Sequence, residues 1–174
     1  GDSVLVDEPG WPVEFARLAQ MGVKCVPVPR AADGPDRAAM RHALETLQGA
    51  DKPRAYITVS VLHNPTGGSI TLAAAHEVLK LAEAHDLTIV EDDTYAWLAS
   101  PQSPRLAALD QLQRTVYISG FAKILAPGWR VGFLAASPAL AERAIRRKLL
   151  TTLAAPGLTE RALAITLEDR KSVV

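Results

Sequence analysis

The chain has 174 residues, 48% apolar and 22% charged, a globular balance too apolar for a disordered segment and sufficient for one core. Nineteen Lys and Arg match nineteen Asp and Glu, so the net charge is zero and no basic footprint for nucleic acid or anionic membrane stands out. The single Cys25 excludes an internal disulfide framework or a cysteine-based zinc cluster, and with no bilayer-length apolar run and no signal-peptide pattern the sequence reads as soluble and cytoplasmic.

Residues 3–7 (SVLVD) read as a short strand, followed by the turn-prone Glu8-Pro9-Gly10. Residues 12–21 carry Val13, Phe15, Ala16, Leu18 and Ala19 at helical spacing. Residues 24–28 form a second strand, and Pro27 with the following Pro29 places it at a sheet edge. A helix over 36–47 has Met40, Leu44 and Leu47 on one face. Residues 54–62 (RAYITVSVL) are the strongest strand, and 71–85 the strongest helix, with a stripe of Leu72, Ala75, Val78, Leu79 and Ala82. Strands follow over 87–92, 115–119 and 130–136. Ser137 as cap and Pro138 at the first helical position open a helix to about residue 150, and a last helix fills roughly 157–168. Residues 169–174 break the helical pattern and read as a non-native tail.

Strands alternating with helices predict an α/β fold of three layers, a mostly parallel sheet with helices on both faces and right-handed crossovers. In such sheets ligands bind beyond the carboxyl ends of the strands. Three of those ends are chemically loaded. The 54–62 strand runs into His63-Asn64-Pro65-Thr66-Gly67-Gly68, and the 87–92 strand into Glu91-Asp92-Asp93-Thr94-Tyr95. The 115–119 strand leads through Ser119-Gly120-Phe121-Ala122 to Lys123, then to Ala126-Pro127-Gly128-Trp129-Arg130. Each piece alone has a plain structural reading: an Asn-Pro turn, acids that cap or turn, a surface lysine such as Lys80 or Lys148. Together they collect an amide, a carboxylate, a phenol and two cations at one edge of the predicted sheet.

The motifs HNPTG at 63–67, D-x-x-Y at Asp92 and Tyr95, and SGFAKILAPGWRVGF at 119–133, in that order, resemble the pyridoxal-phosphate (PLP) aminotransferases of class I/II, over about residues 4–167. The wording of VSVLHNPTGGS and EDDTYAWL is similar to the aminotransferase-like domain of MocR-type (GntR family) regulators. The resemblance implies a fold-type-I large domain and a role for each residue. Lys123 would form the Schiff base with PLP and shuttle the proton during amino-group transfer, as a partly desolvated lysine flanked by Phe121, Ala122, Ile124 and Leu125. Asp92 would hold the pyridine nitrogen protonated; family spacing selects it over Asp93, between which strand alternation alone does not choose. Asn64 and Tyr95 would donate to the ring oxygen, Arg130 would clamp the phosphate, and Trp11 would stack on the ring face. The family usually has a serine three residues before the lysine; here that position is Gly120, leaving Ser119 as a substitute phosphate contact or the cup one donor short. Trp97 and Trp129 read as packing, His63 as a hydrogen-bonded structural histidine, and Arg143, Arg146, Arg147 and Lys148 as a solvated helix face. His42, His76 and His85 lie on helix surfaces and form no metal set.

The resemblance also implies parts outside this sequence: an upstream strand and glycine-rich phosphate loop, and a C-terminal small domain carrying the arginine for the substrate carboxylate. Residues 1–168 are therefore expected to be part of the PLP-binding large domain of a homodimeric enzyme acting on an amino acid and a 2-oxo acid, with the piece binding PLP weakly and inactive alone. The alternative is the PLP- or amine-sensing effector domain of a MocR-type regulator, with nucleic acid as a partner only if a winged-helix domain precedes it. No membrane partner is expected.

Overall fold

The computed structural model describes residues 2–169. In chain order they form β1 (Ser3–Glu8), α1 (Pro12–Gln20), β2 (Lys24–Ala31), β3 (Gly34–Pro35), α2 (Arg37–Thr46), β4 (Pro53–Thr58), α3 (Leu72–Ala84), β5 (Thr88–Asp92), α4 (Leu106–Asp110), β6 (Thr115–Gly120), β7 (Gly132–Ala135), α5 (Pro138–Thr151) and α6 (Gly157–Glu168). The strands make one seven-stranded sheet in the order β3-β2-β1-β4-β5-β6-β7. Its inner strands are parallel, and β3 and β7 pair antiparallel at the two edges.

Connectivity sets the layers. From β1 the chain moves one way to β2, then returns across β1 to β4 and continues to β5 and β6. Right-handed crossovers put α1 on one face of the sheet and α2, α3 and α4 on the other. The second face holds the main core: Leu5, Tyr56 and Ile89 from the sheet meet Met40 and Leu44 of α2, Val78 and Ala82 of α3, and Leu106 of α4. Burial of each large apolar side chain there contributes roughly 1.5–3 kcal/mol. The point where the chain's direction reverses lies between β1 and β4, where an open α/β sheet forms a ligand crevice.

The sheet and its helices agree with the sequence in class, and several details differ. Along its prolines β2 is an edge, because β3 pairs only with Arg30 and Ala31; Pro27 and Pro29, two apart, turn their missing N–H groups to the same side. The strand expected over 54–62 ends at Thr58, where side-chain bonds from Thr58 and Ser60 replace the backbone ladder. In α3 the buried stripe is Ala74, Ala75, Val78, Leu81 and Ala82, with Leu72 half exposed. Asp36 caps α2 by accepting from the amides of Ala38 and Ala39, at 2.9 and 3.0 Å, whereas the expected Ser137 cap of α5 makes no side-chain bond. Arg130 precedes β7 rather than lying in it. β3 and α4 carry too few residues for a periodic signal. The tail expected over 169–174 lies, past Asp169, outside the described residues. No helix among the described residues is long and apolar enough to cross a membrane.

Candidate functional site

A cavity of about 270 Å³ opens at this reversal, lined from four strand ends. From the end of β1 and beyond it come Asp7, Gly10 and Trp11, with Glu14 and Phe15 from α1; after β4, His63 and Asn64; from the last residue of β5 onward, Asp92, Thr94 and Tyr95; after β6, Ala122, Lys123 and Arg130. Trp11, Asn64, Asp92, Tyr95, Lys123 and Arg130 are thus brought together. Ser119 is not: it is buried, and its hydroxyl donates to the Asp93 carbonyl at 2.9 Å.

The acids at the end of β5 show how the pleat distributes them. Successive side chains alternate between sheet faces. Glu91 and Asp93 are both fully buried, while Asp92 between them faces the cavity. Glu91 accepts the amides of Leu106 and Ala107, each at 2.8 Å, and the Ser60 hydroxyl. It therefore caps the N-terminus of α4, although burial pushes its carboxyl above the usual range. Asp93 pairs with Arg105 at 2.9 Å and accepts from the Tyr117 hydroxyl at 2.9 Å; burial, then this bond, pushes the Tyr117 phenol up to about 12. Asp92 Oδ1 accepts the Thr94 amide at 3.0 Å and the Thr94 hydroxyl. Its Oδ2 has no hydrogen bond or ion pair among the described residues.

Both cations that line the cavity are exposed to solvent. Lys123 is exposed, contrary to the desolvation expected from its apolar neighbours, and its Nζ lies 5.8 Å from the centre of the Tyr95 ring. Arg130 is exposed and has no hydrogen bond or ion pair among the described residues. Its backbone is left-handed, φ 54°, a conformation that costs a non-glycine residue energy and recurs at functional sites. Trp11 precedes the first turn of α1, 45% exposed, with the Arg17 guanidinium 5.9 Å from its ring centre. Gly10 has no substitute there, since a Cβ would sit 2.4 Å from the Phe15 ring and 2.6 Å from the Asp7 carbonyl.

Asn64 sits in a tight turn whose Asn64–Pro65 bond is cis. The turn is held by His63 N–H to Gly68 O at 2.8 Å and by Gly67 N–H to His63 O at 2.6 Å. The Asn64 amide makes no side-chain hydrogen bond among the described residues. His63, by contrast, is buried, with Nδ1 2.9 Å from the Thr66 hydroxyl and Nε2 3.6 Å from Asp7. Burial, reinforced by Arg30, lowers its pKa from 6.5 to about 4, so the ring is neutral near pH 7.

Sequence reasoning missed Asp7. This carboxylate is 4% exposed and accepts from Arg30 at 2.8 Å, from the Tyr56 and Thr58 hydroxyls, and from the Val59 amide. Its partners lie on other strands, so the acid ending SVLVD is the only local signal. Glu14 was missed too. It lines the cavity with no side-chain hydrogen bond among the described residues, and burial, then Asp92 and Asp7, pushes its carboxyl above the ordinary range.

Residues 1–174 match the family described as aminotransferase class I and II. The chain is 30% identical over 166 residues to 2-aminoadipate transaminase of Thermus thermophilus, covering 92% of this chain and 41% of that protein. It is 27% identical over 169 residues to the HTH-type transcriptional regulator YcxD of Bacillus subtilis, covering 97% of this chain and 37% of the regulator. Among solved structures, the α-aminoadipate aminotransferase of Thermus thermophilus, complexed with N-(5'-phosphopyridoxyl)-L-leucine, superposes with a TM-score of 0.85 at 27% identity, covering 98% of this chain and 45% of that one. The chain spans about two fifths of the length of the curated relatives it matches.

Proposed function

Because the chain belongs to the class I and II aminotransferase family, we propose that residues 1–168 are part of the cofactor-binding domain of a PLP-dependent aminotransferase, which moves an amino group between an amino acid and a 2-oxo acid. The observation that carries this reading is the convergence of Asn64, Asp92, Tyr95, Lys123 and Arg130, from three strand ends, on one cavity. The donor set suits the group. Asp92 Oδ2, the Asn64 amide and the Arg130 guanidinium have no hydrogen bond or ion pair among the described residues, which leaves them for a ligand with a ring nitrogen, a ring oxygen and a phosphate.

When bound, PLP supplies an electrophilic carbonyl carbon for amines and a ring that takes up electrons from the neighbouring carbon. The chain's own groups do the rest. The Lys123 amine would tether the cofactor and, once displaced by substrate, carry the proton between substrate and cofactor carbons. Asp92 Oδ2 would accept the ring N–H and hold that proton in place, its other oxygen fixed by Thr94. The Asn64 amide and Tyr95 hydroxyl would donate to the ring oxygen, Trp11 would cover one ring face and exclude water, and Arg130 would pair with the phosphate. Ser119 adds no hydroxyl there while it serves Asp93, so among these residues Arg130 alone would hold the phosphate. Substrate acids, a homodimeric assembly and a cytoplasmic setting, which suits the lone half-buried thiol of Cys25, belong to the same reading.

The similarity to YcxD favours a second reading, in which the same cavity senses PLP or an amine for a transcription regulator. A basic helix-turn-helix domain encoded upstream would select it. For the aminotransferase, the full-length protein saturated with PLP should gain a visible absorbance band that Lys123→Ala abolishes, and should transaminate. A wild-type protein that never gains the band sinks both readings; one that gains it without transfer activity toward any amino acid sinks the first.

A further inference from the structure

Asn64 offers an amide to the cavity, and its side chain has no hydrogen-bond partner among the described residues, so its pose must be set through its neighbours. The residues on either side are fixed. His63 Nδ1 lies 2.9 Å from the hydroxyl of Thr66, and His63 Nε2 faces Asp7 Oδ2 at 3.6 Å. A carboxylate oxygen only accepts, so this placement suits the tautomer with its proton on Nε2, in which Nδ1 accepts from the Thr66 hydroxyl. Asp7 is in turn immobilised from two further strands: Arg30 of β2 at 2.8 Å, and Tyr56 and Thr58 of β4. The segment leaving β4 is held by the same pair, since the Val59 amide reaches Asp7 at 3.3 Å and the Arg30 guanidinium reaches the Val59 carbonyl at 3.3 Å.

We propose that Asp7, His63 and Thr66 form a relay, buried at Asp7 and His63 and exposed at Thr66, that aims the Asn64 amide at the ring oxygen of the cofactor. They are positioning residues; Asn64 alone makes the contact. The relay links the strand at the reversal point to the turn after β4, so the pose of Asn64 is set by the sheet and not by the loop. Because His63 is neutral near pH 7, the relay adds no positive charge to a cavity already holding Lys123 and Arg130. Asp7, Glu14 and Asp92 supply its negative groups. The inference rests on the PLP reading above.

The test titrates the visible absorbance of PLP bound to the full-length protein. A donated hydrogen bond stabilises the charged ring oxygen, so losing it moves the titration midpoint up by roughly one pH unit. Asn64→Ala sets the full shift. Thr66→Ala removes an exposed side chain and spares the core; it should give a large part of that shift, Thr66→Ser should restore the wild-type midpoint, and His63→Ala should act like Thr66→Ala. In the Asn64→Ala background, Thr66→Ala should add nothing, because its effect passes through the missing amide. Equal Thr66→Ala shifts in both backgrounds, or no shift in either, overturn the relay while leaving the cofactor reading intact. A wild-type protein without the band overturns the cofactor reading and the relay with it.

Discussion

Leu5, Tyr56 and Ile89, on β1, β4 and β5, are wholly buried, whereas past β6 the same kinds of side chain face solvent, with Leu150 84% and Leu158 85% exposed. Helix α5 buries none of its residues and α6 only Leu163. The sequence pattern does not separate the two regions, since all these helices carry apolar stripes. What separates them is whether a facing surface exists. α2, α3 and α4 pack on the sheet and on one another, while β7, α5 and α6 present Phe133, Leu134, Ile145 and Ile165 outward. The polar chemistry divides the same way: the cavity draws on the ends of β1, β4, β5 and β6, and on nothing from α5 or α6.

The contrast is open to measurement by denaturant unfolding. The largest loss is expected at the cavity floor. Asp7→Ala leaves the Arg30 guanidinium, 3% exposed, without its carboxylate, and should cost about 3–5 kcal/mol. Next, Leu5→Ala should cost about 3 kcal/mol, and Leu150→Ala less than about 0.5 kcal/mol; equal losses would mean that α5 is covered in solution. A third expectation concerns pH. The pKa of His63 falls from 6.5 to about 4 on folding, so between those values the unfolded chain binds the extra proton. Its contribution is whole above pH 6.5 and drains as the pH falls toward 4. Between pH 7 and 4.5 the wild type should lose about 2 kcal/mol more than His63→Gln; parallel curves would show that His63 is not protected. The smallest effects compare the caps. Asp36→Ala should cost about 1 kcal/mol, and Ser137→Ala only a few tenths, since only Asp36 bonds its helix.

Much of the frame was legible because it is local. Periodic runs marked the long helices and the parallel strands, and the residues at three strand ends pointed to the cavity before any coordinates. What stayed hidden was long-range. Asp7 meets Arg30, Tyr56 and Thr58 at separations of 23, 49 and 51 residues, and no pattern within a strand announces them. Glu91 reads as one of three consecutive acids, and its work as a cap appears only when α4 arrives 15 residues later. The environment of Lys123 was misjudged for a related reason. Apolar neighbours in sequence need not shield a side chain in a loop: Phe121 is buried, while Lys123, two residues on, is exposed. Ser119 was close in sequence to the expected phosphate donor, yet the strand directs its hydroxyl inward to Asp93.

The alternation of Glu91, Asp92 and Asp93 makes β5 intolerant of a change in length. Adding or deleting one residue within its five would exchange inside for outside at every later position, sending Asp92 under the sheet and ejecting a carboxylate that α4 depends on. Over evolutionary time this short segment can therefore vary only by replacement in place.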